Sequence, residues 1–142
     1  MIKVFSEEVF YLIISLLPRI PDFNKLRSAL LRMAGVNIGK KVVIWSGFDL
    51  RPYGGLDRLY IGGQTFVNVN CRIGLGAKGR LVIGKRVAVG PNVSFETVNH
   101  MQGYNKKWAS VSKSIYIGND AWIGSGAIAL SGVTAMIIEG CN

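Results

Sequence analysis

The sequence predicts an all-β solenoid of parallel strands, coiled from six-residue repeats and preceded by a helical segment. Three observations carry this. Beyond Val36 an aliphatic residue, often followed by glycine, recurs in steps of six. Glycine is abundant at 18 of 142 residues while proline stands at 4, which excludes collagen-like and proline-rich linker compositions. Before Val36 the texture differs, with two apolar runs separated by Pro18 and Pro21. The expected organisation is a helical segment over 1–35 and a solenoid over 36–142, with a loop insertion near 101–114.

The first helix is expected from Glu7 to Leu17, stopping at Pro18 because proline cannot continue a helix interior. Asp22 or Asn24 is the expected cap of a second helix from Lys25 to Ala34, and Gly35 closes it. On that helix Leu26, Leu30, Met33 and Ala34 share one face and predict its buried side. The first apolar run, Val9 to Leu17, is short of the ~20 residues a spanning helix needs. It follows Glu7 and Glu8, without a basic leader or a small-residue cleavage site. A cytoplasmic protein is expected, with the apolar start free to contact a membrane surface.

The repeat is written in sixes. Ile61-Gly-Gly-Gln-Thr-Phe leads to Val67 and Ile73; Ile83-Gly-Lys-Arg-Val-Ala leads to Val89 and Phe95; Ile117-Gly-Asn-Asp-Ala-Trp leads to Ile123 and Ala129. An earlier copy starts at Ile38 and leads to Ile44. The first position is expected to point inward, and the glycine after it to tolerate a bend. Position five, as in Thr65, Cys71, Val87, Val93 and Ala121, is small or β-branched and fits a tight corner, and Thr97 is assigned to a corner as well. Three sixes make one triangular turn of about 18 residues, and stacked turns form a solenoid. Each buried aliphatic contributes about 1.5–3 kcal/mol. A hairpin sheet would instead show longer alternation with turns every ~8–12 residues.

Composition narrows function. Lys and Arg number 17 against 8 Asp and Glu, a formal charge of +9 that favours anionic partners. No basic stripe interleaved with aromatics appears, so nucleic acid is not an expected partner. His100 is the single histidine, which excludes a site built from two or three imidazoles of one chain. Cys71 and Cys141 lie far apart, with no Cys/His cluster around them, so neither a disulfide scaffold nor a zinc finger is expected. Cys71 occupies a corner position of the repeat and reads as a core thiol.

The stretch Val89-Gly-Pro-Asn-Val-Ser-Phe-Glu-Thr-Val-Asn-His100, a loop, and then Ile115-Tyr-Ile-Gly-Asn-Asp-Ala-Trp-Ile-Gly-Ser125 is similar to the hexapeptide-repeat acyltransferases. Within them it resembles the maltose, galactoside and polysaccharide O-acetyltransferases. The resemblance runs from about Val36 to Thr134. It implies a left-handed parallel β-helix; the hand comes from the resemblance and not from the repeat. It also implies homotrimers that bind acetyl-CoA between subunits, and an O-acetyltransferase acting on a saccharide or surface polysaccharide. His100 falls on the general base. An imidazole suits the removal of a hydroxyl proton near neutrality. Asn68 matches the residue that positions the acceptor, Trp122 the wall beside the pantetheine arm, and Ser125 a partner of that arm. The turn Ile123-Gly-Ser-Gly126 would supply backbone donors to the tetrahedral intermediate. No metal is required. The metal-dependent carbonic anhydrase branch of the fold needs three histidines.

Bland readings stand beside these. His100 is alternatively a surface loop histidine, Trp122 a solvent-side aromatic or subunit contact, and Asn68 a turn residue bonded to its own backbone. Asn70 competes with Asn68. Tyr104, Lys106, Lys107 and Trp108 in the loop are candidates to close on the acceptor or meet CoA phosphates. After Thr134 the frame breaks at Ala135-Met136 and resumes two residues late, with Cys141 at a corner. The chain thus reads as short relative to the family, and a truncated, inactive or partner-dependent relative is the alternative expectation. The apolar first helix is more like that of the polysaccharide enzymes, which suits peripheral membrane contact.

Overall fold

The computed structural model describes residues 2–51, 55–101 and 109–135, and of residues 2–4 the backbone alone. Helix α1 (Ile2–Leu16) and helix α2 (Asn24–Met33), joined by a 3-10 turn at Pro21–Phe23, precede the solenoid. The first coil is β1 (Asn37–Ile38), β2 (Val43–Ile44) and β3 (Asp49–Arg51). The second is β4 (Leu59–Ile61), β5 (Phe66–Val67) and β6 (Arg72–Gly74). The third is β7 (Leu81–Ile83), β8 (Ala88–Val89) and β9 (Ser94–Glu96), followed by the strands β10 (Val98–His100) and β11 (Ser110–Ser112). The fourth is β12 (Ile115–Ile117), β13 (Trp122–Ile123) and β14 (Ile128–Leu130), and β15 (Thr134–Ala135) opens the next.

Three parallel sheets result. Face A stacks β1, β4, β7, β12 and β15; face B stacks β2, β5, β8 and β13; face C stacks β3, β6, β9 and β14. The six-residue frame survives intact. Ile38, Ile61, Ile83 and Ile117 are in register on face A. Ile44, Val67, Val89 and Ile123 align on face B, and Leu50, Ile73, Phe95 and Ala129 on face C. Most of these inward residues, with the corner residues Thr65, Cys71, Val87, Val93 and Thr97, are buried, and Ile38, Ile123 and Ala129 pack against that core half-buried. Burial pushes the Cys71 thiol pKa up, in keeping with a core thiol.

The glycines do a different job from the one expected. The bend falls at position four, where Lys41, Gln64, Asn70, Arg86, Asn92 and Asp120 all have φ between 55° and 62°. The position-two glycines are needed because successive coils approach too closely for a side chain. A Cβ on Gly62 would lie 2.4 Å from the Gly84 carbonyl carbon, and one on Gly84 2.7 Å from the Asn119 nitrogen. At one corner Arg86 and Asp120 occupy successive bends and form a two-pronged ion pair, one contact being 2.6 Å. The hydrogen bond from Arg86 holds the Asp120 carboxyl below the ordinary range.

The corners are unequal. Six residues separate inward positions from face A to face B and from B to C in every coil. From C back to A the chain takes eleven residues in the first coil (Leu50 to Ile61), ten in the second (Ile73 to Ile83), twenty-two in the third (Phe95 to Ile117) and six in the fourth. All extra chain therefore leaves along one edge, and β10 and β11 are its largest excursion.

The helices lie over the first coil. Glu7, Tyr11 and Ile14 of α1 line a small gap with Leu31, Ala34, Leu50 and Leu56, and the Tyr11 hydroxyl donates to Asp49 at 3.0 Å. The buried side of α2 is Asn24, Arg27, Ser28 and Leu31; of the predicted face Leu30 and Ala34 pack half-buried against the core, whereas Leu26 and Met33 are 43% and 69% exposed. Polar groups won because carbonyls need donors there. Arg27 donates to the Leu17 carbonyl at 3.2 Å, to that of Pro18, and to the Asn24 side chain at 2.6 Å; Ser28 donates to the Val42 carbonyl at 2.9 Å. Burial lowers the Arg27 pKa. Phe23 is the N-cap, so neither predicted cap residue serves; Asn24 is spent on Arg27.

Gly62→Ala is expected to cost about 1–3 kcal/mol by overpacking. Gly124→Ala, where nothing lies within 4 Å, is expected to stay within ~0.5 kcal/mol. Urea unfolding of the two variants checks the pair, and equal losses would contradict the close-approach account.

Candidate active site

His100 ends β10 on the insertion at the C-to-A edge. Its strand pairs antiparallel with β11, with Val98 opposite Ser112, Asn99 opposite Val111 and His100 opposite Ser110. Backbone bonds from Met101 to Ala109 and from Lys113 to Thr97 mark the alternate, hydrogen-bonded positions. His100 and Ser110 are therefore a non-hydrogen-bonded pair, whose side chains stand close on one face. The imidazole is exposed, and its backbone N–H donates to the Asn99 side-chain oxygen at 2.9 Å. A cleft of about 220 Å³ beside it is lined by Asn99, His100, Val111, Lys113 and Ser131. Lys113, which the sequence did not single out, thus shares the histidine's cleft.

A polar ladder holds this excursion to the coil below. Thr97, fully buried, accepts from the Gly76 N–H at 2.7 Å and donates to the Gly74 carbonyl at 3.1 Å. The Ser112 hydroxyl accepts from the Gly79 N–H at 2.9 Å, and Ser114 accepts from Arg80 at 3.1 Å. Arg58 reaches from one coil lower to the Gly76 and Gly79 carbonyls. The sequence marked Thr97 only as a corner residue. Its second role, and those of Ser112 and Arg58, depend on loops of unequal length stacking on one edge.

The remaining candidates gather on or beside face B. Trp122 is 80% exposed and continues the outward column Val43, Phe66, Ala88. Trp45, at the next outward position, meets Phe66 edge-on with centroids 6.3 Å apart. Ala88 and Gly90 are the small residues beside these aromatics on the face. Asn68 lies one step past Val67 on the same face, half-buried, and its side-chain oxygen accepts from the Val69 N–H at 2.8 Å. Asn70 has φ 57° and is a corner residue. The Ser125 hydroxyl donates to the Pro91 carbonyl at 3.2 Å. Gly126 has φ 71°, and its N–H donates to the same carbonyl at 2.9 Å. That N–H is therefore already committed within the fold, which weakens the turn as an oxyanion donor at this residue.

The structure does not bring all five together in one chain. Asn68, Trp122, Ser125 and Gly126 lie at face B and its border with face C, whereas His100 lies beyond the far edge of face C. The whole width of face C, a side of six residues with a three-residue strand at its middle, separates those edges. Tyr104, Lys106, Lys107, Trp108 and Cys141 lie outside the described residues, as does the resumed frame after Ala135. Among the described residues no group of three His, Cys, Asp or Glu could hold a metal ion, and no helix is long and apolar enough to cross a membrane.

No family model matches the chain. Nodulation protein L of Rhizobium leguminosarum bv. viciae is 36% identical over 90 residues, covering 62% of this chain and 42% of that protein. The galactoside O-acetyltransferase of Lactococcus lactis subsp. lactis is 36% identical over 55 residues, 37% of this chain and 27% of that protein. The chain thus spans less than half the length of these curated relatives. A hexapeptide-repeat acetyltransferase of Vibrio cholerae, solved with acetyl-coenzyme A, superposes with a TM-score of 0.78 at 26% identity, covering 94% of this chain and 69% of the other. A coil of opposite hand would not superpose over that length. The chain is similar to the hexapeptide-repeat acetyltransferases and has their fold, a left-handed parallel β-helix.

Thr97→Val leaves the buried Gly76 N–H without its acceptor, and a loss of about 1–3 kcal/mol is expected. Hydrogen exchange should speed up most at residues 97–101 and 109–113. An unchanged exchange pattern there would show that the ladder does not hold the excursion.

Proposed function

We propose that the chain is an acetyl-CoA-dependent O-acetyltransferase that acts on a sugar hydroxyl of a saccharide or surface polysaccharide, with His100 as general base in a homotrimer. The observation that carries this reading is the separation of His100 from the aromatic face on a fold that accepts acetyl-CoA in a solved neighbour. A base beyond one edge of face C and a cradle at its other edge are useless to each other within one chain. They meet only if the edge of one copy lies against face B of the next. The exposure of both Trp122 and His100 supports that arrangement.

In the proposed reaction the acceptor hydroxyl attacks the thioester carbonyl carbon while the imidazole of His100 takes its proton. The C–O bond forms, the C–S bond breaks, and the imidazolium returns the proton to the departing thiolate. The thioester supplies an activated acetyl group. The rest is positioning and proton transfer, worth roughly 10²–10⁴-fold for the base. Trp122 and Trp45 offer apolar walls for a long thiol arm, and the exposed Lys and Arg side chains offer a field for its phosphates. The carboxamide nitrogen of Asn68 is left to donate to the acceptor, since its oxygen is taken by Val69. The cytoplasmic location expected from the sequence belongs to the same reading.

His100→Ala is expected to lower kcat by about 10²–10⁴ with the acetyl-CoA affinity nearly unchanged, measured by thiol release and calorimetry. Turnover equal to wild type would refute the base, and an isolated chain that fails to bind coenzyme A would favour the inactive or partner-dependent alternative. A stronger test mixes subunits. His100→Ala and Asn68→Ala chains, each nearly inactive, should regain part of the activity when co-assembled, because some seams then carry both residues. No recovery in verified mixed trimers would place both residues in one chain's site.

A further inference from the structure

The apolar first helix has two sides, and the core uses only one. At about 100° per residue, the buried stripe of Glu7, Tyr11 and Ile14 lies diametrically opposite Phe5, Val9, Leu12, Ile13 and Leu16. Those five are 40–75% exposed and fill an arc about 100° wide that holds no charged residue. The second helix repeats the pattern, with Leu26 and Met33 opposite its buried stripe. Ile20, on the connection, is 48% exposed. Both helices lay their buried stripes over the first coil, so the apolar surfaces turn away from the solenoid. Soluble proteins rarely leave so much contiguous apolar surface uncovered.

The chemistry around the surface says what covers it. Exposed Arg19 and Lys25 flank it on the connection and on α2, with Arg32 nearby, tied to the Ile38 and Gly39 carbonyls but still exposed. Glu8 and Asp22 are the exposed acids of this segment, and the chain as a whole carries +9. Apolar stripes bordered by cations are the signature of helices that lie in a lipid interface, where the apolar side enters the acyl boundary and the cations meet anionic headgroups. The helix is too short to span a bilayer. We propose that the helical cap docks on an anionic bilayer surface through Phe5, Val9, Leu12, Ile13 and Leu16, with Leu26 and Met33 at its margin and Arg19 and Lys25 on phosphate groups. The solenoid then stands upright on the membrane, its coils rising away from it. This binding does not depend on the acetyl transfer proposed above.

The test is co-sedimentation of the full chain with vesicles of phosphatidylcholine containing about one third phosphatidylglycerol, and with phosphatidylcholine alone. The chain is expected to pellet with the anionic vesicles, less with the neutral ones, and several-fold less at 0.5 M salt. Leu12→Glu with Leu16→Glu should weaken partition at least about tenfold while circular dichroism and assembly size stay unchanged. Phe5→Ser with Val9→Ser, a milder pair on the same stripe, should do the same in smaller measure. Wild-type chain that stays in the supernatant, or variants that pellet equally well, would overturn the proposal. So would variants that change the assembly size without affecting vesicles, since the stripe would then be an interface between copies. Equal pelleting on neutral vesicles would overturn the role of the cations.

Discussion

The distance between stacked parallel strands, about 4.8 Å, governs this molecule. Once the chain coils so that each strand pairs with its equivalent one turn later, every feature must fit that rise. Inward side chains must repeat in kind, because each packs on its copy above and below. Where the backbone passes over backbone at a corner, as at Gly39, Gly62, Gly84 and Gly90, there is no room for a Cβ. Residues at the bends must accept the left-handed conformation, and asparagine, aspartate, glutamine, lysine and arginine do so here. The strands themselves are two or three residues long and have little stability alone; the columns they build supply it.

Much of the fold was legible in the sequence because the rise allows so little freedom. A period of six, kept in frame at Ile61, Val67, Ile73 and again at Ile83, Val89, Phe95, has no other economical reading, and the structure keeps each of those registers. The role of the glycines was not legible. A glycine needed for a bend and one needed for close approach are the same letter. The buried side of α2 was misread for a related reason. Periodicity finds an apolar face, but it does not say what covers it, and the core took Arg27 and Ser28 because the carbonyls of Leu17 and Pro18 just past α1 and of Val42 just before β2 needed donors.

The candidate residues stood out in the sequence, but where the coil would place them did not. The spacing from Thr97 to His100 and the Ala-Trp-Ile-Gly-Ser run picked out positions that the coil then distributes over two edges of a prism. No linear pattern reports how far apart in space those positions come to lie, because that depends on how the coils stack. Two neighbours were missed for the same reason. Trp45 lies far from Trp122 in sequence and joins the same aromatic face only through the stacking of coils. Lys113 comes beside His100 only because an antiparallel excursion folds back on itself. Asn68 makes the turn bond to Val69 through its side-chain oxygen, and the amide nitrogen of the same carboxamide is not used in that bond.

The confinement of every surplus residue to the C-to-A edge separates two demands that usually conflict in proteins. The columns count in sixes on two sides of the prism and never lose phase, while the third side absorbs eleven, ten or twenty-two residues at no cost to the stack above. Such a seam is a natural site for variation: its length and composition can drift while the spool that winds beneath stays the same.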